Sequence, residues 1–223
     1  MSNYGVIFDV DGVLVDSYRA HFVSWRKLYG ELAINYSEEA FAADFGRTSR
    51  DILRRTLGDQ LSEERIRELD ERKESLFRDI LRESFPAMDG AVDLIDALSA
   101  DGFLLAVGSS GPPENIALTL EKLDRAEKFA AAVTGLEVTR GKPDPQVFQI
   151  AAERLGLRSA SCAVVEDAVH GIEAARRAGM ASIALTGTTT RERLADADLV
   201  VDNLRELNPP LIRTLIRRRG ARN

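Results

Sequence analysis

This sequence has little of what marks a secreted, membrane or nucleic-acid-binding protein. Its 223 residues include one cysteine, Cys162, so no disulfide within the chain is possible and a reducing compartment is expected. In its apolar run that thiol reads as a small buried hydrophobe. No apolar run approaches a membrane span, and the first strand pattern begins almost at once, without charged and apolar leader regions. The expectation is a soluble cytoplasmic protein, with a monomer as the default. Basic residues are not in excess. The 30 Lys+Arg against 36 Asp+Glu leave a net charge of −6, which gives no general attraction to nucleic acid or an anionic membrane. A phosphorylated substrate would have to be drawn by a local positive site. No His/Cys set has zinc-ligand spacing, and the phosphate loop of nucleotide-binding P-loops is absent. There is no internal repeat and no low-complexity tract, while a hydrophobic content of 44% is ample for a core.

What is present begins at the N-terminus. The run Gly5-Val6-Ile7-Phe8 has the length and composition of a buried strand, and it leads directly into Asp9-Val10-Asp11-Gly12. In open α/β sheets the reactive crevice lies beyond the carboxyl ends of the strands, so Asp9 and Asp11 emerge there on one turn. Two carboxylates at that spacing repel, and one binds a proton, unless a cation is present. Mg²⁺ is a hard ion that prefers oxygen ligands and keeps waters for a substrate phosphate, and it leaves both groups usable. The pair then divides the work of phosphoryl transfer: one oxygen attacks phosphorus, and the other carboxyl donates a proton to the leaving oxygen. Gly12 permits the sharp turn. The same residues also describe an ordinary Asp/Gly turn. The residues downstream decide between the two.

From Ser17 the rhythm is helical, with Phe22, Trp25, Leu28 and Tyr29 at three- and four-residue spacing. Polar or glycine-containing breaks at 35–37 and 46–49 separate further helical segments near 50–57 and 62–84, and no strand-like alternation interrupts them before Pro86. After Pro86 strands and helices alternate. Strands are expected at 103–107, 131–134, 162–165, 182–185 and 199–201. Helices are expected up to Ala100 with Asp89 as N-cap, and near 113–123, 145–155, 168–178 and 191–195. This is an α/β pattern, a parallel sheet covered on both faces. Its core combines residues 1–17 and 86–223, and residues 18–85 form an all-helical insert placed as a lid over the strand ends. The basic end, Ile216-Arg217-Arg218-Arg219-Gly220-Ala221-Arg222-Asn223, reads as a solvated helix terminus rather than a nucleic-acid contact.

Three further strand ends carry groups suited to phosphate. In Val107-Gly108-Ser109-Ser110-Gly111-Pro112-Pro113 the Ser109 hydroxyl, with the backbone N–H groups that follow from Ser110 on, forms an anion site ahead of a proline-opened helix. In Arg140-Gly141-Lys142-Pro143-Asp144 the lysine sits between a glycine and a proline that favours extended backbone, which aims the ammonium at a phosphate and at Asp9. In Cys162-Ala163-Val164-Val165-Glu166-Asp167 an apolar strand runs into paired acids, which is costly unless a cation or lysine neutralises them. Asp167 reads as a metal ligand, with Glu166 either supporting it at the metal or lying beside Lys142. His170, in the opening turn of the next helix, reads as structural.

The order Asp9-x-Asp11, Ser109, Lys142, Glu166-Asp167, each at a strand end, resembles the haloacid dehalogenase superfamily of phosphotransferases over nearly the whole chain. The resemblance implies a Rossmann-like core with a helical cap domain inserted after the first motif. It implies that Asp9 becomes a phosphoaspartate and that Asp11 is the acid/base. Ser109 and Lys142 would hold the phosphate, and Asp9, the Asp11 carbonyl and Asp167 would bind Mg²⁺. An acid at Asp11 points to phosphate esters, because the dehalogenases and phosphonatases of the superfamily lack one there.

The insert speaks to substrate. Lys73 occupies a gap in the apolar stripe Ile66, Leu69, Leu76, Phe77 and Ile80, where it either snorkels to water or reaches a substrate. The stretch from Asp16 to Trp25 is similar to the β-phosphoglucomutase branch, which has a histidine and tryptophan at the spacing of His21 and Trp25 and a cap lysine matching Lys73. The cap loop Gly46-Arg47-Thr48-Ser49-Arg50 departs from that branch. Ser49 stands where the mutases have a phosphate-binding arginine, and Arg47 or Arg50 is offered instead. The leading expectation is a Mg²⁺-dependent phosphatase for a small sugar phosphate or related metabolite, acting through an aspartyl phosphate. A sugar-phosphate mutase is the close alternative, and a non-catalytic phospho-receiver module the remote one.

Overall fold

In the computed structural model, residues 4–44 and 46–221 are described. The chain divides into two compact units, residues 1–16 with 86–223 and residues 17–85. The first is built on a six-stranded parallel sheet. Its strands are β1 (Gly5–Phe8), β2 (Leu104–Gly108), β3 (Phe129–Val133), β4 (Cys162–Glu166), β5 (Ala181–Leu185) and β6 (Leu199–Val201), in the order β3-β2-β1-β4-β5-β6. β1 is therefore central. Its neighbours continue the chain on one side with β2 and on the other with β4, which creates a switch point beyond the carboxyl ends of these three strands. Phe8 is level with Val107 on one side and Val165 on the other, so the residues that follow each strand emerge at one height.

The near-unbroken apolar sequence of these strands follows from cover on both faces. All residues of β1, β4 and β5 are buried. Ile7, Ala106 and Val164 pack with Val147, Phe148 and Ala151 of α7 (Gln146–Arg154) and with Ala174 and Ala175 of α8 (Val169–Arg177). Cys162 belongs to this cluster, and burial pushes its thiol up to about 12. The remaining helices of the unit are α5 (Ala91–Ala100), α6 (Pro113–Lys122) and α9 (Pro209–Gly220). Two prolines open α9, and the Asn208 side chain accepts the Leu211 N–H at 3.0 Å.

The second unit is all helical: α1 (Tyr18–Glu31), α2 (Glu38–Asp44), α3 (Ser49–Leu57) and α4 (Glu63–Glu83). Phe22, Trp25, Leu28 and Tyr29 of α1 pack against Ile66, Leu69 and Leu76 of α4, with Phe41, Ile52 and Leu53 closing the core. Thr48 and Ser62 cap α3 and α4 by accepting the N–H groups of Asp51 and Arg65, each at 3.2 Å.

Two local expectations change. Residues 191–195 form turns rather than a helix. Arg193, Ala195 and Ala197 donate back three residues, to Thr190, Glu192 and Leu194. Only Leu194 is buried there, against Ile172 and Ala184, and one anchor is not the apolar stripe a helix needs. Asp89 does not cap α5. Its carboxylate is held by the Arg205 guanidinium at 2.7–3.0 Å and by Asn203 at 2.9 Å, and Gly90 with φ +81° takes the cap position. These hydrogen bonds lower the Asp89 pKa to about 2. Of the basic end, Arg217 and Arg218 are exposed in the last turn of α9, Arg219 is half-buried, and Arg222 and Asn223 lie outside the described residues. Among the described residues no helix is long and apolar enough to cross a membrane.

Candidate active site

The site is assembled at the carboxyl ends of β1, β2 and β4. Asp9 prolongs β1 by one residue, its N–H donating to the Val165 carbonyl at 3.0 Å. The chain then folds on itself. The Val10 carbonyl accepts from Val13, Leu14 and Val15, and the Gly12 N–H donates to the Val15 carbonyl at 2.9 Å. Gly12 is required twice, by its φ of +73° and by space, since a Cβ there would lie 2.0 Å from Asp167 Oδ2. The turn thus brings the Asp9–Asp11 segment against the end of β4. Asp9 is buried and Asp11 half-buried.

At the end of β4, Glu166 is fully engaged. Its Oε2 accepts the N–H groups of Asp167 and Ala168, each at 2.8 Å, and its Oε1 accepts from Lys142 Nζ at 2.7 Å. Glu166 thus lies beside the lysine, while its carboxylate also stands with those of Asp9 and Asp167. The carboxylate fits because residue 171 is glycine: a Cβ there would come within 1.8 Å of Oε1. Lys142 also donates to Asp9 Oδ1 at 2.8 Å and lies 4.9 Å from the centre of the Phe148 ring. It leaves a turn closed by the Asp144 N–H to the Gly141 carbonyl. Ser109, buried after β2, accepts the Gly111 N–H on its Oγ at 3.1 Å, so that amide is already used and the hydroxyl hydrogen remains to donate. Ser110 is exposed.

Carboxylate oxygens of Asp9, Glu166 and Asp167 lie within 4.8 Å of one another. Three carboxylates against one ammonium leave two negative charges in a buried place. Burial, with the carboxylates of Glu166 and Asp11, raises the Asp9 pKa to about 7 although Lys142 opposes the rise. Burial and the same kind of repulsion raise Asp167 well above the usual carboxylate range. Burial alone would lower Lys142, but Asp9 and Glu166 outweigh it and keep the ammonium charged. A hard divalent cation with oxygen ligands fits this donor set: it would neutralise the two excess charges, and Asp9 and Asp167 retain oxygens that Lys142 does not occupy.

Several residues at the site went unnoticed in sequence: Gly171, which makes room for Glu166; Phe148, beneath Lys142; and Thr188, whose hydroxyl donates to the Asp167 carbonyl at 3.0 Å. Thr188 had a legible signal, since Thr186-Gly187-Thr188 follows β5 as the other motifs follow their strands. The packing roles of Gly171 and Phe148 had none. His170 is exposed in the first turn of α8.

The remaining candidates belong to the helical unit. Lys73 does not snorkel: only 3% of its side chain is exposed, and its Nζ lies 2.9 Å from His21 Nδ1 and 2.7 Å from Glu74 Oε1. Its ammonium stands over the Trp25 and Phe77 rings, and His21 stacks on Phe77 with centroids 4.1 Å apart. Arg47 and Arg50 are about half exposed, Arg47 3.7 Å from Asp44 and Arg50 paired with Glu63 at 2.6 Å.

The profile of haloacid dehalogenase-like hydrolases matches residues 6–185. A validoxylamine A 7'-phosphate phosphatase of Streptomyces hygroscopicus subsp. limoneus is 29% identical, over 92% of this chain and 96% of that protein. A phosphorylated carbohydrates phosphatase of Thermotoga maritima is 30% identical, over 80% of this chain and 82% of that protein. The crystal structure of a β-phosphoglucomutase from Clostridium difficile superposes with a TM-score of 0.84 at 25% identity, over 97% of this chain and 98% of that one. With the switch-point sheet, the helical insert and the strand-end acids already in view, these likenesses are decisive: the chain belongs to the haloacid dehalogenase-like hydrolase family.

Proposed function

We propose that this chain is a Mg²⁺-dependent phosphatase of small sugar phosphates or related phosphorylated metabolites. The observation that carries the reading is the buried Asp9–Lys142–Glu166–Asp167 cluster with Asp11 on the adjoining turn. In the first step an Asp9 oxygen attacks phosphorus, the bond from phosphorus to the ester oxygen breaks, and Asp11 gives its proton to the leaving alkoxide. In the second, water attacks the aspartyl phosphate, Asp11 takes its proton, and Asp9 is regenerated as inorganic phosphate leaves. Ser109, the Ser110 amide and Lys142 orient the phosphoryl oxygens, and Glu166 holds Lys142 in place. Bound Mg²⁺, held by Asp9, the Asp11 carbonyl and Asp167, supplies charge neutralisation to the phosphoryl oxygens. The helical unit acts as a cap that excludes water from the first step and selects the ester through Lys73 and His21, with Arg47 or Arg50 as the phosphate fork. All the groups required come from one chain, so a monomer suffices.

A mutase reading is favoured by one observation, the contact of the buried Lys73 with the half-buried His21 in an insert similar to that branch. Against it, Ser49 stands in place of an arginine, and Arg50 is already paired with Glu63. The two are separated by ³¹P NMR with Mg²⁺, β-glucose 1-phosphate and a trace of glucose 1,6-bisphosphate. The expected result is inorganic phosphate, from this ester or from another in a sugar-phosphate panel. Glucose 6-phosphate without inorganic phosphate would establish the mutase instead, and no reaction with any ester would end both readings.

A further inference from the structure

On the reading of Asp9, the Asp11 carbonyl and Asp167 as Mg²⁺ ligands, we propose that Thr188 is a positioning residue of that centre, bracing Asp167 and touching the turn that carries Asp11. Asp167 stands between β4 and α8, so neither a sheet ladder nor a helix dictates partners for its main-chain groups. Side chains supply them instead. The Asp167 N–H donates to Glu166 Oε2 at 2.8 Å, and the Asp167 carbonyl accepts from the Thr188 hydroxyl at 3.0 Å. These two contacts hold the peptide units on either side of the Asp167 Cα, and with them the direction in which its carboxylate leaves the chain. The methyl group of Thr188 faces the other turn. A Cβ on Gly12 would lie 3.1 Å from that methyl and 2.0 Å from Asp167 Oδ2. The Asp11 carbonyl belongs to the peptide that joins it to Gly12, so one side chain braces ligand groups that follow two different strands.

A side chain can position others only if it is itself held. Thr188 is half-buried in the segment that follows β5, and one carboxylate closes that segment at both ends. Asp202 Oδ1 accepts from the Thr186 hydroxyl at 2.8 Å, and Asp202 Oδ2 pairs with Arg191 at 2.8 Å. The Thr186 N–H donates to the Val201 carbonyl at 3.0 Å, and Arg191 donates to the Val200 carbonyl at 3.0 Å. Both ends are therefore tied to β6. Between them Gly187, with φ +136°, lets the chain turn so that residue 188 faces the acid cluster. Loop closure accounts for Thr186 and Arg191. It does not account for Thr188, whose two contacts lie across on the turns after β1 and β4. Hydrogen bonds of this outer kind orient metal ligands and tune the affinity of the site they surround.

The test is titration of the metal-free full chain with Mn²⁺, which takes the same oxygen ligands as Mg²⁺, with the free ion followed by electron paramagnetic resonance. The site concerned is the one weakened by Asp167→Asn. Thr188→Val keeps the shape and the methyl group and removes the hydroxyl. It is expected to weaken Mn²⁺ binding roughly ten- to a hundredfold, and Thr188→Ser, which keeps the hydroxyl, is expected to restore it. A hydroxyl that only braced the fold would lower the melting temperature of metal-free Thr188→Val and leave its Mn²⁺ affinity at the parent value, and that result would overturn the proposal. Equal weakening in Thr188→Ser and Thr188→Val would overturn it too, since shape rather than the hydroxyl would then set the affinity. A parent chain that binds no Mn²⁺ would remove the Mg²⁺ reading itself, and the role of Thr188 with it.

Discussion

The two units hold their charges in opposite ways. At the strand ends, Lys142, Asp9 and Glu166 are buried and joined by hydrogen bonds of 2.7–2.8 Å, with a glycine at 171 clearing the space. In the helical unit most charges lie on the surface. Arg50 and Arg54 share Glu63, Arg65 pairs with Glu68, and Arg72 with Glu31. Such exposed pairs contribute about 0–1 kcal/mol each. Two groups are exceptions: Lys73, buried against His21, Glu74 and two aromatic rings, and Asp44, buried where it accepts from the Tyr36 hydroxyl and Arg55. The contrast separates two tasks. On the proposed function, the groups of the chemistry are fixed between strands and helices, and those proposed to select the ester belong to the helical unit.

The largest expected effect falls on the buried side. Asp9→Asn should reduce phosphate release at least about a thousandfold. The same change should stabilise the metal-free protein at pH 8. The folded pKa of Asp9, about 7, stands above its ordinary 3.8, so its contribution to stability is present below pH 4 and lost as pH rises through 7. Asparagine escapes that loss, which is worth about 2–4 kcal/mol. Thermal melts should show a gain at pH 8 that vanishes near pH 4. Equal melting at both pH values would mean that the cluster carries no excess charge.

Asp11→Ala should lower kcat by about 10²–10⁴ with KM little changed, measured by steady-state phosphate release; normal turnover would exclude Asp11 as the acid. Lys73→Met keeps the bulk of the stem and removes the ammonium. It should reduce kcat/KM by roughly ten- to a hundredfold with Mg²⁺ affinity intact, and a loss of metal binding in titration calorimetry would show that the two units do not divide the work as described. Arg50→Ala should be the mildest, changing stability by less than about 0.5 kcal/mol in denaturant unfolding. A larger loss would mean that the helical surface is held as tightly as the strand ends.

The sequence revealed the parts of this arrangement that are written locally. Apolar runs ending in Asp9, Ser109 and Glu166 announce buried parallel strands and their carboxyl ends, and the succession of helical segments from Ser17 to Phe85, with no strand-like alternation between them, announces the insert. What stayed hidden depends on residues far apart in the chain. Arg205 draws Asp89 away from the cap of α5, across more than a hundred residues. Leu194 gave a helical look to a segment that tertiary packing holds as turns. Glu166 could be assigned to metal or to lysine only when the position of Gly171 and the reach of Lys142 were known.

The central claim is that Asp9 takes the phosphoryl group. Protein mixed with ³²P-labelled sugar phosphate and Mg²⁺ should be quenched in acid before steady state and digested. The account expects label on the peptide containing Asp9, released by hydroxylamine and absent from Asp9→Asn. Rapid phosphate release with no labelled peptide at any quench time would contradict it.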